Sequence, residues 1–479
     1  MTWGRFILLG ICTMALIVLL VMVVLTRNNW LLAGFIATAA ISWFVYNRRT
    51  ITGGRWVRDT VSARLRRAAA RMGRWDEFDP AVDERPWPLE DYAMLAVTAS
   101  EDDDPDAGLC LIDTGRTNCY VAVIEVDGDG QGIRPNWEHD QLERGFHGFL
   151  DHLTIANSRV AQVDLITKVS PEGGEPFMEW TAQHLRPGQQ EVVQESMIEL
   201  ARGSEHLSSQ VRSWAVVVMP MDRLVTYLKD LGLEANPELI AEAAAESVSE
   251  VTRSMIDHGL RIHQGLSTRQ ISAVIRGIML PDYNVDDISD IEDFWAAFPG
   301  YQPTARQNSL IAYSEDRDNL WYHRSCVVPR DGFPTEYLVN GRWLEPIVLE
   351  SAVPHRVISV KYALMPHHQA REIARDQLTS AAGRVYRKHK VGTISDGEVE
   401  EGQTLAQRVA SNVRRQGNGG VIPVVRVLVS AKSERMVARY KEQMEAEMMQ
   451  KMGISNVIWD IPALGMMATL PLGVEVERA

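Results

Sequence analysis

The sequence predicts an α/β (α+β) protein in which an N-terminal two-helix transmembrane hairpin precedes two cytoplasmic α/β sandwiches. Three observations carry this: a pair of uncharged runs at the N-terminus, a sharp change of charge after them, and a body where short apolar runs alternate with amphipathic stretches. The chain has 479 residues, more than one hydrophobic core usually serves. Its 46% hydrophobic and 23% charged content is ordinary for globular domains.

Phe6 to Leu25 is 20 residues without a charge, about 30 Å of helix, the thickness of a bilayer's hydrocarbon core. Thr26-Arg27-Asn28-Asn29 interrupts it, and Trp30 to Tyr46 is a second uncharged run of 17. So short a link makes the two segments antiparallel neighbours, with Trp3, Trp30, Trp43 and Tyr46 near their ends. Residues 1–74 carry 11 Lys and Arg against one acid, while the remaining 405 carry 38 against 62, a balance of −24. Nine arginines follow the second run: Arg48, Arg49, Arg55, Arg58, Arg64, Arg66, Arg67, Arg71 and Arg74. Positive flanks stay cytoplasmic, so both termini and the body are expected inside, with the arginines near lipid headgroups. Ala37-Thr38-Ala39 resembles a signal-peptide cleavage site, but the first run is longer than a signal core and the arginines come after it.

The domains read as 1–50 for the hairpin, with helices 6–25 and 30–46, and 51–107 for a basic juxtamembrane helix and a linker. The linker holds the Pro-rich PAVDERPWP and the acidic EDDDPD. Residues 108–305 and 306–479 form the two cytoplasmic α/β domains. In the first, strands are expected at 109–112, 118–126, 160–168 and 214–219, and helices at 138–154, 189–202, 237–260 and 266–279. The second has strands at 309–313, 320–328, 357–364, 422–430 and 457–461 and helices at 366–390, 398–416 and 432–452. The order β-β-α-β-α-β points to an antiparallel or mixed sheet with helices on one face, hence two ferredoxin-like-type sandwiches. No repeat of sequence joins the two.

The chemical motifs are few. The chain holds no G-x-x-x-x-G-K-[ST], G-x-S-x-G, H-E-x-x-H or C-x-x-C, so no catalytic residue and no cofactor is assigned. Cys110 and Cys119 fall in neighbouring strands and read as reduced core residues in a cytoplasmic setting. His367 and His368, adjacent at a helix start, point about 100° apart and make a poor chelate. Asp127, Asp129, Gln131 and Glu138 stand at positions 1, 3, 5 and 12 of a calcium-loop pattern with Gly132 at 6. Gln at position 5, Arg134 at position 8 and the preceding strand favour a Gly-rich hairpin tip instead. Met436, Tyr440, Met444, Met448 and Met452 recur every four residues, either as core or as an adaptable partner groove. So acidic a body is a poor nucleic-acid binder, because such binding rests on Lys and Arg neutralising phosphates.

Several segments carry a resemblance. They are GLCLIDTGRTNCYVAVIEV (108–126), the helix and strand of 136–171, the Trp/Arg-rich WYHRSCVVPRDGFPTEYLVNGRWLEPIV (321–348) and the closing LGMMATLPLG (464–473). With the basic exit from the uncharged runs, they resemble actinobacterial integral membrane proteins of conjugation and type IV secretion clusters. In those proteins a PrgI-like membrane hairpin precedes a body similar to the non-ATPase N-terminal domain of the type IV secretion ATPase. The resemblance implies a non-enzymatic membrane component of a secretion or DNA-transfer apparatus, a docking platform for the secretion ATPase in an oligomeric complex. Its partners would be the bilayer, that ATPase and other membrane subunits, without direct nucleic-acid binding. The EccE component of type VII secretion is an alternative with a similar start, fitting residues 355–473 less well. A membrane-surface enzyme assembled from distant residues is the third.

Overall fold

The computed structural model describes residues 78–80, 91–97, 108–127, 136–155, 158–171, 209–286, 298–304, 308–329, 343–375, 420–454 and 456–474, less 316, 373 and 461, together with 85, 86, 89, 196, 291, 294 and 295. They belong to one compact unit, Asp76–Val476. In chain order its first part runs β1 (Ala93–Val97), β2 (Leu109–Asp113), β3 (Cys119–Asp127), α1 (Asn136–Leu153), β4 (Gln162–Pro171), β5 (Ser209–Pro220), α2 (Met221–Asp230), α3 (Pro237–Asp257), β6 (Arg261–Gly265) and α4 (Thr268–Met279). The second part runs β7 (Gly300–Pro303), β8 (Leu310–Tyr313), β9 (Leu320–Val328), α5 (Glu345–Val348), β10 (His355–Met365), β11 (Gly420–Ala431), α6 (Glu434–Met452), β12 (Ile458–Trp459) and α7 (Pro462–Met467).

All twelve strands among the described residues join one antiparallel sheet, in the order β1-β2-β3-β5-β4-β10-β11-β9-β8-β7, with β6 added to β3 and β12 to β9. The path β1-β2-β3-β5-β4 returns as β7-β8-β9-β11-β10, reversed across the β4–β10 junction. The late strands correspond too: β6 pairs with β3 as β12 pairs with β9. The chain therefore traces one topology twice, and the copies meet through eight cross-strand pairs from Arg356–Val169 to Ala363–Gln162.

This corrects the expected fold class on two counts. First, the two α/β sandwiches are not separate, because each face of the shared sheet has one core fed by both copies. On one face Val163, Ala215 and Val217 pack with Ile358, Val425 and Val427 beneath α1, α2, α3 and α6. On the other, Ile166, Trp214 and Val216 pack with Val357 and Leu428 beneath α4 and α7. Helices thus cover both faces instead of one, and the strands are buried on both sides. Second, no membrane-spanning helix is found: among the described residues none is long and apolar enough to cross a membrane. Residues 6–25 and 30–46 lie outside the described residues, as do the nine arginines and the helices expected at 398–416 and over most of 189–202 and 366–390.

Local chemistry sets the helix ends. Asn236 accepts from the Leu239 N–H ahead of Pro237 at the first position of α3, and Ser267 with Gln270 closes a capping box on α4. Ser433 caps α6, and Gly453 ends it at φ 65°, a conformation glycine adopts without strain. The crossing of α1 over the end of α3 requires Gly145, where a Cβ would stand 2.1 Å from the His258 carbonyl oxygen. The methionine stripe of α6 is largely core: Met444, Met448 and Met452 are buried, and only Met436 at its start is exposed.

Candidate docking groove

A groove of about 360 Å³ opens where the two copies meet. Leu153, Ile155 and Ser158 come from the end of α1 and the turn into β4; Leu364, Pro366 and His368 come from the end of β10 and the helical turn beginning at 367. Helix α2 forms the third wall. Its Leu224 and Leu228 point into the core, which leaves Asp222, Thr226 and Asp230 at four-residue spacing along the groove. A second hollow of about 320 Å³ adjoins it and shares Leu153, Ile155, Ser158 and Tyr227.

Two arginines build the partition. Arg223 donates to the carbonyls of Ser158 (3.2 Å) and Val160 (2.6 Å), which fixes the turn before β4. Arg159 is 8% exposed; it lies 4.1 Å over the Tyr227 ring and pairs with Glu246 at 3.1 Å and with Glu250. Burial pulls its pKa down, but the carboxylates of Glu250 and Glu246 outweigh that and raise it. The Tyr227 hydroxyl donates to Glu246 at 3.2 Å. Both guanidiniums are thus engaged within the fold. Asp222 and Asp230 are exposed, and neither faces a cation within ion-pair distance among the described residues.

A second polar centre lies on the opposite face, along the junction. Lys361 stands across from Asp164 at 3.7 Å and donates to the Val474 carbonyl at 2.8 Å; Arg426 pairs with Asp460. Asp282, in the turn after α4, accepts from Trp321 Nε1 (2.8 Å), Asn319 Nδ2 (3.0 Å) and Lys432 Nζ (2.6 Å), and so ties one copy to the other. Burial would raise its pKa, but the hydrogen bonds from Lys432, Asn319 and Trp321 hold it below the usual range. Burial pulls Lys168 down to about 8, with Arg212's charge acting in the same direction.

His323 is 1% exposed. Its Nε2 lies 2.9 Å from the Met279 carbonyl, which can only accept, so Nε2 carries the proton and Nδ1 accepts from Ser430 Oγ at 2.8 Å. Burial holds this imidazole neutral, with its pKa down to about 3, and lowers His355 to about 4. An unfolded histidine titrates near 6.5, so the unfolded chain binds more protons than the folded one just below that pH. Stability should therefore be complete above about pH 6.5 and fall as the pH drops toward those folded values. The expected slope is on the order of 1 kcal/mol per pH unit for His323 alone. Urea unfolding of the full chain across this window measures it, and His323→Asn should flatten the slope.

The residues singled out by sequence lie mostly elsewhere. Asp127 ends β3 with Oδ2 3.9 Å from His263 Nε2, and Glu138 sits in the first turn of α1; Asp129 and Gln131 lie outside the described residues. Among the described residues no group of three or more His, Cys, Asp or Glu is placed to hold a metal ion. Cys110 and Cys119 are free thiols, the first buried beside Met94 and the second directed to the Thr117 carbonyl. Of the His pair, His368 reaches the groove. Arg159, Tyr227, Asp222 and Asp230 belong to no motif in the sequence. The one sequence signal near them is the four-residue spacing of Glu238, Glu242, Glu246 and Glu250 along α3. Comparison with protein-family models and with curated proteins finds no match for this chain.

Proposed function

We propose that this protein is a non-enzymatic docking platform of a secretion or conjugative DNA-transfer apparatus, holding the secretion ATPase in an oligomeric membrane complex. The observation that carries the reading is the groove at the junction of the two copies: an apolar floor with uncompensated carboxylates beside it, on a rigid sheet buried on both faces. The −24 balance of residues 75–479 supports it, since a charge of that size steers a basic partner surface toward its site. The place of action is the inner face of the cell membrane, a reading supported by the uncharged residues 6–25 and the nine arginines from Arg48 to Arg74.

The test is co-purification of the full chain with the secretion ATPase of its own gene cluster. Capture is expected at about 50 mM salt and clear loss at about 300 mM, as the screening length shrinks. With Met444, Met448 and Met452 in the core, the α6 stripe offers no broad apolar contact that would make binding salt-tolerant. Absence of the ATPase at both salt levels would contradict the proposal.

A further inference from the structure

We infer that the groove between α2, the end of α1 and the end of β10 binds a basic segment of the partner through one apolar side chain flanked by Lys or Arg. The inference rests on the docking reading above and names its site. Ile155 is 58% exposed at the rim of a concavity floored by Leu153 and Leu364, the arrangement of an anchor pocket for one large side chain. The charge beside it is net negative, with the carboxylates of Asp222 and Asp230 against the one guanidinium of Arg223. Arg223 and Arg159 are committed to carbonyls and to Glu246 and Glu250, whereas Asp222 and Asp230 face solvent about 12 Å apart along α2. Asp222 is favourably placed in the first turn of its helix. Asp230 is the last residue of the same helix, where the backbone dipole disfavours an anion. A cation docked there relieves that cost, so the occupant is a segment with positive charges on both sides of its anchor, spaced to meet both carboxylates. Because Leu364 and His368 come from the second copy, such a segment touches both halves of the sheet at once.

The test is fluorescence anisotropy of the full chain with a labelled peptide of one leucine flanked by two arginines on each side. The same peptide with glutamates for arginines is the control. Saturable binding of the basic peptide only is expected, weakened at least tenfold by Asp222→Asn with Asp230→Asn and at least fivefold by Ile155→Ser. Asp318→Asn, which removes an exposed acid in the β8–β9 turn, should leave it unchanged. No saturable binding, or equal loss in the Asp318→Asn variant, would overturn the inference. Capture of the ATPase undiminished by the Asp222/Asp230 double variant would overturn the groove while leaving the platform standing. Peptide binding that follows this pattern in a chain that never captures the ATPase would support the groove and sink the platform.

Discussion

Replacing Lys361 by alanine is expected to destabilise the protein by about 3–5 kcal/mol, the usual cost of stripping the partner from a buried charge. Lys361 and Asp164 are direct cross-strand partners in the β4–β10 junction, with side chains only 11% and 4% exposed. The ammonium also holds the Val474 carbonyl, so its loss frees the segment that follows α7 as well. Truncation leaves the Asp164 carboxylate in the core without that cation. Removing both charges in volume-conserving fashion, Asp164→Leu with Lys361→Met, should cost far less than Lys361→Ala alone, because the buried carboxylate is removed together with the cation it faces. Urea titration of the full chain gives both values. If the double variant proved as unstable as the single one, charge pairing at the junction would not be what holds it.

Arg356→Ala is expected to be of similar size. This arginine is 2% exposed, and its guanidinium spreads over three carbonyls: Nε to Ile347 (2.7 Å), Nη2 to Val348 (2.6 Å) and Nη1 to Val353. Its three donations tie α5 and the turn into β10 to the sheet. Burial lowers its pKa to about 10, which leaves it charged at neutral pH. Losing three charge-assisted bonds and leaving their acceptors buried should cost about 3–5 kcal/mol. Arg356→Lys should recover less than half of that, since an ammonium cannot reproduce the planar fork. Hydrogen exchange of residues 345–353 should quicken in both variants; unchanged exchange would show that the segment is held by other contacts.

The strands with long apolar runs were legible because nothing else explains Trp214–Met219, Val357–Leu364 or Ile422–Ser430, and β5, β10 and β11 fall there. The second covered face is not legible. The β-β-α-β-α-β order points to helices on one face, and Gln162, Asp164 and Lys168 along one side of β4 have the polar pattern that a wet side would share. In the fold these side chains are buried, Asp164 opposite Lys361 of the second copy and Lys168 beneath α4 at Gly277. Period-two patterning reports polarity, and it cannot distinguish a wet face from one buried by pairing. Strand β6, Arg-Ile-His-Gln-Gly, has almost no apolar signal. The groove was illegible for a different reason. Its walls come from residues near 155, 226 and 366, and only the fold brings these segments together.

Docking at the junction of the two copies is the central claim, and crosslinking in living cells tests it most directly. A photo-reactive amino acid at Thr226, on the groove wall of α2, is compared with the same group at Asp318 on the exposed β8–β9 turn. The full chain carrying it at Thr226 should crosslink to the secretion ATPase, and the Asp318 version should not. Equal crosslinking at both sites, or none at Thr226 while the ATPase is present, would contradict the account.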